Sequence, residues 1–324
     1  MMDKSYIETV RLLLESVPVI FQPPHFAMKG GTAINLFVQK MPRLSVDIDV
    51  VYTDPTTSRP AALKAISDGL NQTRRQLVKS GLEAEVSATK KGDEIKLFIR
   101  RDRVQVKVEV NHVFRGTVLP IETRALNAEA RHIFTTDLSA PILAPAELYG
   151  SKLVAAMDRQ HPRDIFDVRG LYETTGLTDD VIECFVCYLA GHNRPVHEVL
   201  FSNDIDLTTA FENEFVGMTQ SPVSLVELQK VRARLKRELP ARLTANQRQF
   251  LISLVSGEPD WSLMKCPHLQ KMSAIQWKLQ NLARLRKSNP KKFAQQAEDL
   301  RARLAWRRKT WTGTTTQFAT RGRN

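Results

Sequence analysis

Apolar residues recur along the first half of the chain with two different periods, one helical and one strand-like. Helical spacing predicts helices over residues 3–16, 33–38 and 60–80. Strand-like stretches are present at 47–52, 83–90, 94–100 and 103–111. The last is a strict alternation of valines with polar residues, the pattern of a strand with one buried face. Together these elements predict a helix-and-sheet domain of about 140 residues with mixed strand directions.

Strand-like patterns stop after Pro141 and Pro145, which we interpret as the two ends of a linker. Helices are predicted over 146–160, 180–190, 224–239, 245–256 and 274–303, the last interrupted at Asn289-Pro290 because proline cannot continue a helix. From Trp306 onward Arg, Lys, Thr and Gly predominate without periodicity, which predicts disorder. We therefore expect an α+β fold with a core over 1–140, a mostly helical domain over 141–305 and a disordered basic tail over 306–324.

Composition narrows the class of protein. The 324 residues are 42% hydrophobic and 25% charged, as in a globular protein with a substantial core. The sequence has no apolar run of membrane-spanning length, and its N-terminus, with Asp3 and Glu8, lacks a signal-peptide pattern. Three cysteines, an odd number in a long chain, argue against a disulfide framework. These features predict a cytoplasmic protein.

The positive charge of the chain is concentrated near its C-terminus. Residues 247–324 contain 16 Lys and Arg but four acidic residues, so the whole net charge of +12 lies there. A basic region next to an electrically neutral domain is typical of nucleic-acid binding. A tail that only aids solubility, or one that meets an acidic protein, is the alternative.

A glycine motif precedes the short helix predicted over 33–38. In Lys29-Gly30-Gly31-Thr32 the glycines let the backbone approach a ligand closely, and free N–H groups at a helix start attract anions. We therefore expect Lys29, Gly30, Gly31 and Thr32 to bind the phosphates of a nucleotide. The alternative is an ordinary loop.

Two aspartates begin the strand that follows this helix. Because side chains alternate along a strand, Asp47 and Asp49 point the same way, and paired carboxylates suit a hard cation such as Mg²⁺. Glu109 lies on the polar face of a later strand and is the candidate for a third metal ligand. Gln105 and Lys107 share that face, as they would on any solvated strand, so the alternative for Glu109 is a surface charge. The alternative for Asp47 and Asp49 is the polar edge of a solvated strand.

A second charged motif lies in the predicted helical domain. Lys152 and Arg159 are seven residues apart and so share one helix face, while Asp164 and Asp167 share a face of the next helix. A lysine that points into a cleft binds phosphate as a point charge. A nearby aspartate can hold that lysine or accept a proton from an attacking hydroxyl. A helix hairpin joined by ordinary salt bridges is the alternative.

Other residues have simpler interpretations. Cys184 and Cys187 have the spacing of half a zinc site, with Cys266 and His268 as possible partners. Their apolar helical surroundings favour buried small side chains instead. The helical pattern around Trp277 favours a core position.

Taken together, the charged motifs resemble those of the AbiEii/AbiGii-type nucleotidyltransferase toxins of type IV toxin–antitoxin and phage-defence systems. The matching blocks are Lys29-Gly30-Gly31-Thr32, Arg43-Leu44-Ser45-x-Asp47-Ile48-Asp49, Lys107-x-Glu109-x-Asn111, 147–152 and Arg163-Asp164-Ile165-Phe166-Asp167. The broader superfamily has Gly-Ser where this chain has Gly-Gly-Thr, and Thr32 still offers a hydroxyl.

The resemblance implies a polymerase-β-like nucleotidyltransferase core, a nucleoside triphosphate (NTP) donor and Mg²⁺, with Mn²⁺ as an alternative. It implies that Asp47 and Asp49 bind the metal, that Lys152 contacts the triphosphate, and that Asp164 is the catalytic acidic residue. It also implies an RNA acceptor, the 3′ end of tRNA, and a neighbouring antitoxin that need not bind. We expect a monomer. A protein hydroxyl or small molecule as acceptor, or an inactive nucleic-acid-binding protein, remains the alternative.

Overall fold

The computed structural model describes residues 4–88 and 95–311. In the N-terminal half, helices surround a mixed sheet. In chain order the elements are α1 (Lys4–Ile20), β1 (Phe26–Lys29), α2 (Gly30–Ala33, continued by the π-helical segment Ile34–Val38), β2 (Asp47–Tyr52), α3 (Arg59–Lys79), β3 (Glu83–Ala88), β4 (Ile95–Arg101), β5 (Val104–Asn111), β6 (Glu122–Ala125), α4 (Ala128–Phe134) and β7 (Ser139–Ile142). The predicted helices and strands of this half are present. The ends of two predicted strands, at 89–90 and 94, lie outside the described residues.

The C-terminal half is helical throughout its described part. Its elements are α5 (Pro145–Asp158), α6 (Pro162–Glu173), α7 (Asp179–Ala190), α8 (Val196–Leu200), α9 (Thr208–Glu214), α10 (Leu225–Arg242), α11 (Ala245–Val255), two short 3₁₀ turns, α12 (Ser273–Ser288) and α13 (Pro290–Trp311). The break at Asn289-Pro290 separates α12 from α13, as the proline predicts. None of the helices in the described ranges combines the length and apolar character that a membrane crossing requires.

The sheet has seven strands in the order β3-β4-β5-β2-β1-β7-β6. Its central strand β2 pairs antiparallel with β1 and parallel with β5. Val106, Val108 and Val110 of β5 are buried, whereas Lys107 and Glu109 point to the opposite face. Helices α1 and α3 contact the strands, and a single large apolar cluster extends from α1 through the sheet into the C-terminal helices. The α+β prediction, a mixed sheet with helices followed by a mostly helical region, is confirmed.

The predicted linker between Pro141 and Pro145 contains the end of a strand. Pro141 lies inside β7, which pairs antiparallel with β6 and parallel with β1. Two four-residue strands, one of them containing proline, are too short for an alternating pattern to reveal. The division at 140/141 therefore falls within β7, and the proposed domain boundaries remain a prediction.

The predicted disordered tail begins as helix. Helix α13 continues to Trp311, beyond Trp306 where periodicity ends in the sequence. Leu300 and Leu304 of this helix are buried against the rest of the fold, which explains why the helix forms despite the polar sequence that follows. Residues 312–324 of the predicted tail lie outside the described residues.

The helix predicted over 33–38 forms as a π-helical turn. The N–H of Gln39 donates to the carbonyl of Ile34, five residues earlier, at 2.7 Å. The wider turn leaves carbonyls free, and the Asn127 side-chain amide donates to those of Asn35 and Leu36 at 3.0 and 2.8 Å. Such π turns are rare and frequently occur at functional sites.

Candidate active site

Asp47 and Asp49 lie on β2 and alternate with the fully buried Ile48. In the sheet register Asp49 is opposite Lys29 of β1 on one side and Glu109 of β5 on the other. The fold therefore places the lysine of the glycine motif, the second aspartate and the predicted third carboxylate in one row across the sheet.

The two glycines permit the close approach of the motifs. Gly30 has a φ of +77°, and a Cβ atom there would lie 2.1 Å from Oδ2 of Asp49. A Cβ atom on Gly31 would lie 2.6 Å from Nη2 of Arg43. A side chain at either position would collide with a charged group, so glycine is required where the motifs meet.

Thr32 lies beneath the place where the glycine motif meets the aspartate strand. It is almost completely buried, and its Oγ1 is 2.5 Å from the backbone carbonyl of Asp47 and 2.9 Å from Oγ of Ser45. The hydroxyl thus connects the start of α2 to the start of β2. This contact fixes Asp47 relative to the glycines.

Lysines neutralise the carboxylates on the exposed face of the sheet. Lys96 of β4 contacts Glu109 at 2.9 Å, and Lys107 lies 3.4 Å from Glu109 and 3.8 Å from Asp47. Burial opposes ionisation of Glu109, but the hydrogen bond from Lys96 and the charge of Lys107 outweigh it and lower its pKa. Burial raises the pKa of Asp47, and the neighbouring Asp49 adds to this effect against Lys107.

Two carboxylates, those of Asp47 and Asp49, are placed to bind a divalent cation. Asp47 and Asp49 share one face, and burial together with the Asp49 charge raises the pKa of Asp47, so a cation bound there would stabilise its ionised form. Glu109 could become a third ligand only by giving up its ion pairs with Lys96 and Lys107. Within residues 4–88 and 95–311, no group of three or more His, Cys, Asp or Glu side chains is arranged to hold a metal ion.

A buried ion-pair network lies beside the glycine motif, where α5 meets α6. Lys152 is 7% exposed, and its Nζ is 2.7 Å from Asp164 Oδ1 and 3.0 Å from Asp167 Oδ2. Arg159 donates to both oxygens of Asp164, at 2.6 and 3.0 Å. Burial disfavours both charges of the central pair, but they stabilise each other, so the pKa of Lys152 is raised and that of Asp164 is well below its usual range.

The second half of the network joins α6 to the loop before β2. Arg43 donates from Nε and Nη2 to the two oxygens of Asp167, each at 2.7 Å, and Asn35 donates to the same carboxylate at 3.1 Å. The side chain of Asn35 also donates to the carbonyl of Gly31. The i, i+3 spacing correctly predicts that Asp164 and Asp167 act on one face. Arg43 and Asn35 were not predicted, because nothing in the sequence links them to α6.

Two clefts meet at Asp49. The larger has a volume of about 450 Å³ and is bordered by Lys29, Gly30, Lys152 and Arg159 on one side. The smaller, of about 250 Å³, contains Glu109 and is bordered by residues of β1, β2, β4 and β5. Lys29 and Asp49 line both clefts. Burial lowers the pKa of Lys29, with Asp49 opposing this shift.

Two residues of the 147–152 block have structural roles. The carboxylate of Glu147 accepts backbone N–H bonds from Val118 and Leu119 at 2.8 and 2.9 Å and a bond from the Tyr188 hydroxyl at 3.0 Å. A Cβ atom on Gly150 would lie 2.5 Å from that of Cys184, so this glycine lets α5 and α7 pack closely. These contacts hold the helix that carries Lys152.

The remaining candidates have different outcomes. Cys184, Cys187 and Cys266 are buried and unbridged, in agreement with the interpretation as small buried side chains. The described residues form no zinc-like cluster around them. The core position expected for Trp277 is wrong: its side chain is 43% exposed on α12, and the guanidinium of Arg284 lies 5.6 Å from its ring centre. Helical periodicity does not show which face of α12 meets the rest of the protein.

Most of the sequence matches one known protein family. Residues 11–281 match the family described as "Nucleotidyl transferase AbiEii toxin, Type IV TA system". The chain belongs to this family. The match includes every predicted site residue, from Lys29 to Asp164. No curated protein matches the chain.

A solved structure has the same fold. The chain is similar to MenT4, a nucleotidyltransferase toxin from Mycobacterium tuberculosis H37Rv, with a TM-score of 0.58 and 19% sequence identity. The similarity covers 86% of this chain and 91% of that chain. It therefore includes both the sheet and most of the C-terminal helices. As a member of the AbiEii family, this protein is a nucleotidyltransferase toxin of a type IV toxin–antitoxin system.

Proposed function

We propose that this toxin transfers a nucleoside monophosphate from an NTP to an RNA hydroxyl, at the 3′ end of a tRNA. The observation that carries this proposal is the position of Asp49 at the junction of two clefts. One cleft is bordered by cations and glycines that suit a triphosphate. The other contains Glu109 and lies open beside it, which suits an attacking hydroxyl.

The triphosphate is proposed to bind on the cationic side of the larger cleft. Lys29, Lys152 and Arg159 converge there, and Gly30, against which the Asp49 carboxylate packs, lines the same cleft. Three cations, the buried Arg43 and Lys152 and the exposed Arg159, pair with the two buried aspartates Asp164 and Asp167, which leaves an excess positive charge. A site with such an excess favours an anion without a large rearrangement.

Asp164 is proposed to act as a positioning residue. It is fully buried, both its oxygens accept hydrogen bonds from Lys152 and Arg159, and its pKa is well below the usual range. A carboxylate with that pKa and those partners is a poor proton acceptor. Its role is to direct two cations toward the triphosphate, with Asp167 and Arg43 fixing the same lysine from the other side.

Asp47 and Asp49 are proposed to hold Mg²⁺, or Mn²⁺ in its place, with Glu109 as a third ligand once Lys96 and Lys107 release it. The metal would neutralise the charge of the triphosphate at the reacting phosphorus. Thr32 keeps Asp47 in register with the glycines. Without a bound metal, Lys107 partly neutralises Asp47 and Glu109.

RNA is proposed to bind the basic surface of the C-terminal helices. The exposed cations of α12, α13 and the segment before them are Lys265, Lys271, Arg284, Arg286, Lys287, Lys291, Lys292, Arg301 and Arg303. The exposed Trp277 lies among them and offers a ring on which an unpaired base can stack. Helix α12 also contacts the 191–194 loop that borders the larger cleft, so this surface begins beside the site.

The test is incubation of the purified protein with total tRNA, Mg²⁺ and each labelled NTP in turn. We expect label in RNA with at least one NTP, and none with the Asp49→Asn variant, which keeps a similar side-chain volume but loses the metal-binding charge. Label in a protein or small molecule would identify the alternative acceptor. No transfer with any NTP or acceptor would indicate an inactive nucleic-acid-binding protein.

The biological setting follows from the family. A toxin needs control, and we propose a cognate antitoxin encoded nearby that need not bind the toxin. We further propose that the toxin acts as a monomer in the cytoplasm, where its substrates are present. Size-exclusion chromatography of the active protein tests the monomer directly.

A further inference from the structure

The larger cleft has two chemically different walls. Helix α5 lies along the cleft and contributes residues to both walls, one set on each side of the helix. Lys152 and Arg159 lie on the edge toward α6, where both contact Asp164. Val154 and Asp158 lie on the other edge, and Asp158 contacts the loop after α7.

The second wall is apolar and uncharged at its centre. It is formed by Val113, Phe114, Val154, Tyr188, Gly191 and Asn193. The rings of Phe114 and Tyr188 are stacked at 4.0 Å with an angle of 5°, and Val113 remains 45% exposed beside them. Among the described residues of this wall, none is Lys or Arg. Phe114, Val154 and Tyr188 are themselves buried, so they line the cleft with a small part of their surface, and Val113 is the exposed apolar side chain of the wall. A largely apolar wall opposite a cationic wall fits a flat heterocycle joined to a phosphate chain.

Asn111 supplies an oriented donor at the edge of this wall. Its side-chain oxygen accepts the N–H groups of Val113 and Phe114 at 3.0 and 2.8 Å. This fixes the amide with its nitrogen directed away from those groups, at a position that borders the cleft. The donor can contact a ribose hydroxyl or a base carbonyl.

The loop over 191–194 is held from two sides. On the cleft side Asp158 accepts a hydrogen bond from Arg194 at 2.6 Å and lies 3.3 Å from Nε2 of His192. On the far side Nζ of Lys278 donates to the carbonyls of His192 and Arg194 at 2.9 and 2.7 Å. The N–H of Arg194 donates to Nδ1 of His192, and burial lowers the pKa of this imidazole, which favours its neutral form.

Lys278 is unusual because its charge is buried without a contacting carboxylate. It is 5% exposed on α12, and its two hydrogen-bond acceptors are backbone carbonyls. Burial lowers the pKa of Lys278 to about 8, and Glu198 opposes this shift. Burying a lysine in this way costs free energy, so a hydrophobic residue would give a more stable helix contact. The two hydrogen bonds from Lys278 hold the 191–194 loop in place.

We propose that this second wall is the subsite for the base of the donor nucleotide and that Lys278 positions it from α12. The inference rests on the proposed NTP-dependent function. It assigns the residues that distinguish one NTP from another to the wall opposite the triphosphate. It also connects base recognition to the helix whose exposed face is proposed to bind RNA.

The test measures equilibrium binding, by calorimetry in the presence of Mg²⁺, of ATP, CTP, GTP, UTP and inorganic triphosphate. The variants are Lys278→Met, which keeps the apolar stem but donates no hydrogen bond, and the exposed Asn193→Ala. Lys79→Met, on the exposed end of α3, is the matched control. We expect both test variants to weaken the preferred NTP by about tenfold and to alter the ranking of the four NTPs, because loop contacts are lost. Inorganic triphosphate, which has no base, should bind as in the wild type.

The outcomes separate the two proposals. If the wild type binds NTPs and inorganic triphosphate but the variants bind all NTPs with wild-type ranking and affinity, the base subsite is wrong and the proposed function stands. Equal weakening of NTPs and inorganic triphosphate by Lys278→Met, with no effect of Asn193→Ala, would likewise overturn the subsite, because it indicates a general structural role. If the wild type binds neither kind of ligand, both proposals fail.

Discussion

Arg43 and Asp167 are 124 residues apart in the sequence and form a buried bidentate ion pair with both nitrogen–oxygen distances at 2.7 Å. The pair joins the loop before β2 to helix α6. Because Asp167 also contacts Lys152, the position of the proposed triphosphate lysine depends on a residue that adjoins the aspartate motif. The glycine motif, the aspartates and the α5–α6 hairpin therefore form one rigid unit.

The first prediction concerns this pair. Arg43→Lys should lower the free energy of unfolding by about 3 kcal/mol, because lysine cannot bond both oxygens of Asp167 and leaves a buried carboxylate partly unpaired. Arg101→Lys is the matched control, since Arg101 forms a bidentate pair with Glu15 that is about half exposed. It should cost less than about 1 kcal/mol. Equal effects of the two substitutions in urea unfolding would contradict the importance of burial.

The second prediction uses the glycine beside Asp49. Gly30→Ala should reduce nucleotide transfer by about 100-fold or more, because its Cβ would displace the Asp49 carboxylate. Gly81→Ala is the control: Gly81 also has a positive φ, but a Cβ there meets nothing within 4 Å. Both variants should lose about 1 kcal/mol of stability from the left-handed backbone. Normal transfer by a folded Gly30→Ala variant would show that Asp49 need not lie against this loop.

The third prediction links the site to toxicity. Expression of the protein alone should slow bacterial growth, and Lys152→Ala should abolish the effect by removing the proposed triphosphate cation. The matched control Lys79→Ala removes an exposed lysine of α3 and should remain toxic. Growth curves at equal soluble protein levels provide the measurement. Toxicity that survives in a folded Lys152→Ala variant would separate this site from the biology.

The fourth prediction concerns pH. The folded-state pKa of Lys278 is about 8, below the ordinary value of 10.5, so the unfolded chain binds more protons between these values. Stability contributed by this position should therefore rise as pH increases from about 8 to 10.5, by at most about 3 kcal/mol. Glu198 is the acidic group that opposes the shift, whereas burial lowers the pKa values of His192 and His197, which titrate below this window.

The measurement is the difference in unfolding free energy between the wild type and Lys278→Met across that pH range. Taking the difference removes the contributions of the other lysines and tyrosines. The unfolding free energy of the wild type should increase relative to that of Lys278→Met as pH rises. A difference that is constant with pH would show that the lysine retains its charge, or its solvation, in the fold.

The fifth prediction concerns the acceptor. If the basic surface neutralises RNA phosphates, the logarithm of affinity should fall linearly with the logarithm of salt concentration. Combined reversal of Arg284, Lys287 and Lys291 to Glu should weaken RNA binding and flatten this dependence, while NTP binding stays unchanged. Reversal of Lys64 and Lys79 on α3 is the control. Affinity that is independent of salt, or unaffected by the α12–α13 reversals, would favour a protein or small-molecule acceptor.

Substitution is a better probe here than truncation. Removal of the chain from α12 onward would delete the buried side chains of Ala274, Ile275, Leu300 and Leu304 and expose the core residues that they cover. It would also remove Lys278, which holds the 191–194 loop beside the cleft. Loss of RNA binding in such a fragment would therefore not distinguish a missing surface from a damaged fold.

Much of the site follows from local sequence. The period-2 pattern places Asp47 and Asp49 on one strand face, and the glycine motif before a helix predicts a phosphate-binding turn. The i, i+3 spacing places Asp164 and Asp167 on one face of α6, where both contact Lys152. These relations depend only on the geometry of single elements, so the sequence predicts them without knowledge of the fold.

Other relations required the tertiary structure. The lysines that pair with Glu109, the burial of Arg43 against Asp167 and the contact of Lys278 with the 191–194 loop all join distant segments. Short strands β6 and β7 and the exposed face of Trp277 were missed for a related reason. Their positions depend on neighbours from elsewhere in the chain rather than on a local period.

The sequence by itself determined the longer helices and strands, the family motifs and the charge of the C-terminal quarter. Backbone geometry and hydrophobic periodicity act within a few residues, so these features can be read along the chain. Only the tertiary structure decided which charged side chains form ion pairs or hydrogen bonds with each other. That choice depends on burial: a cation such as Arg43 or Lys278 is paired where packing removes water and leaves a carboxylate or carbonyl in reach. Packing is a property of the whole fold.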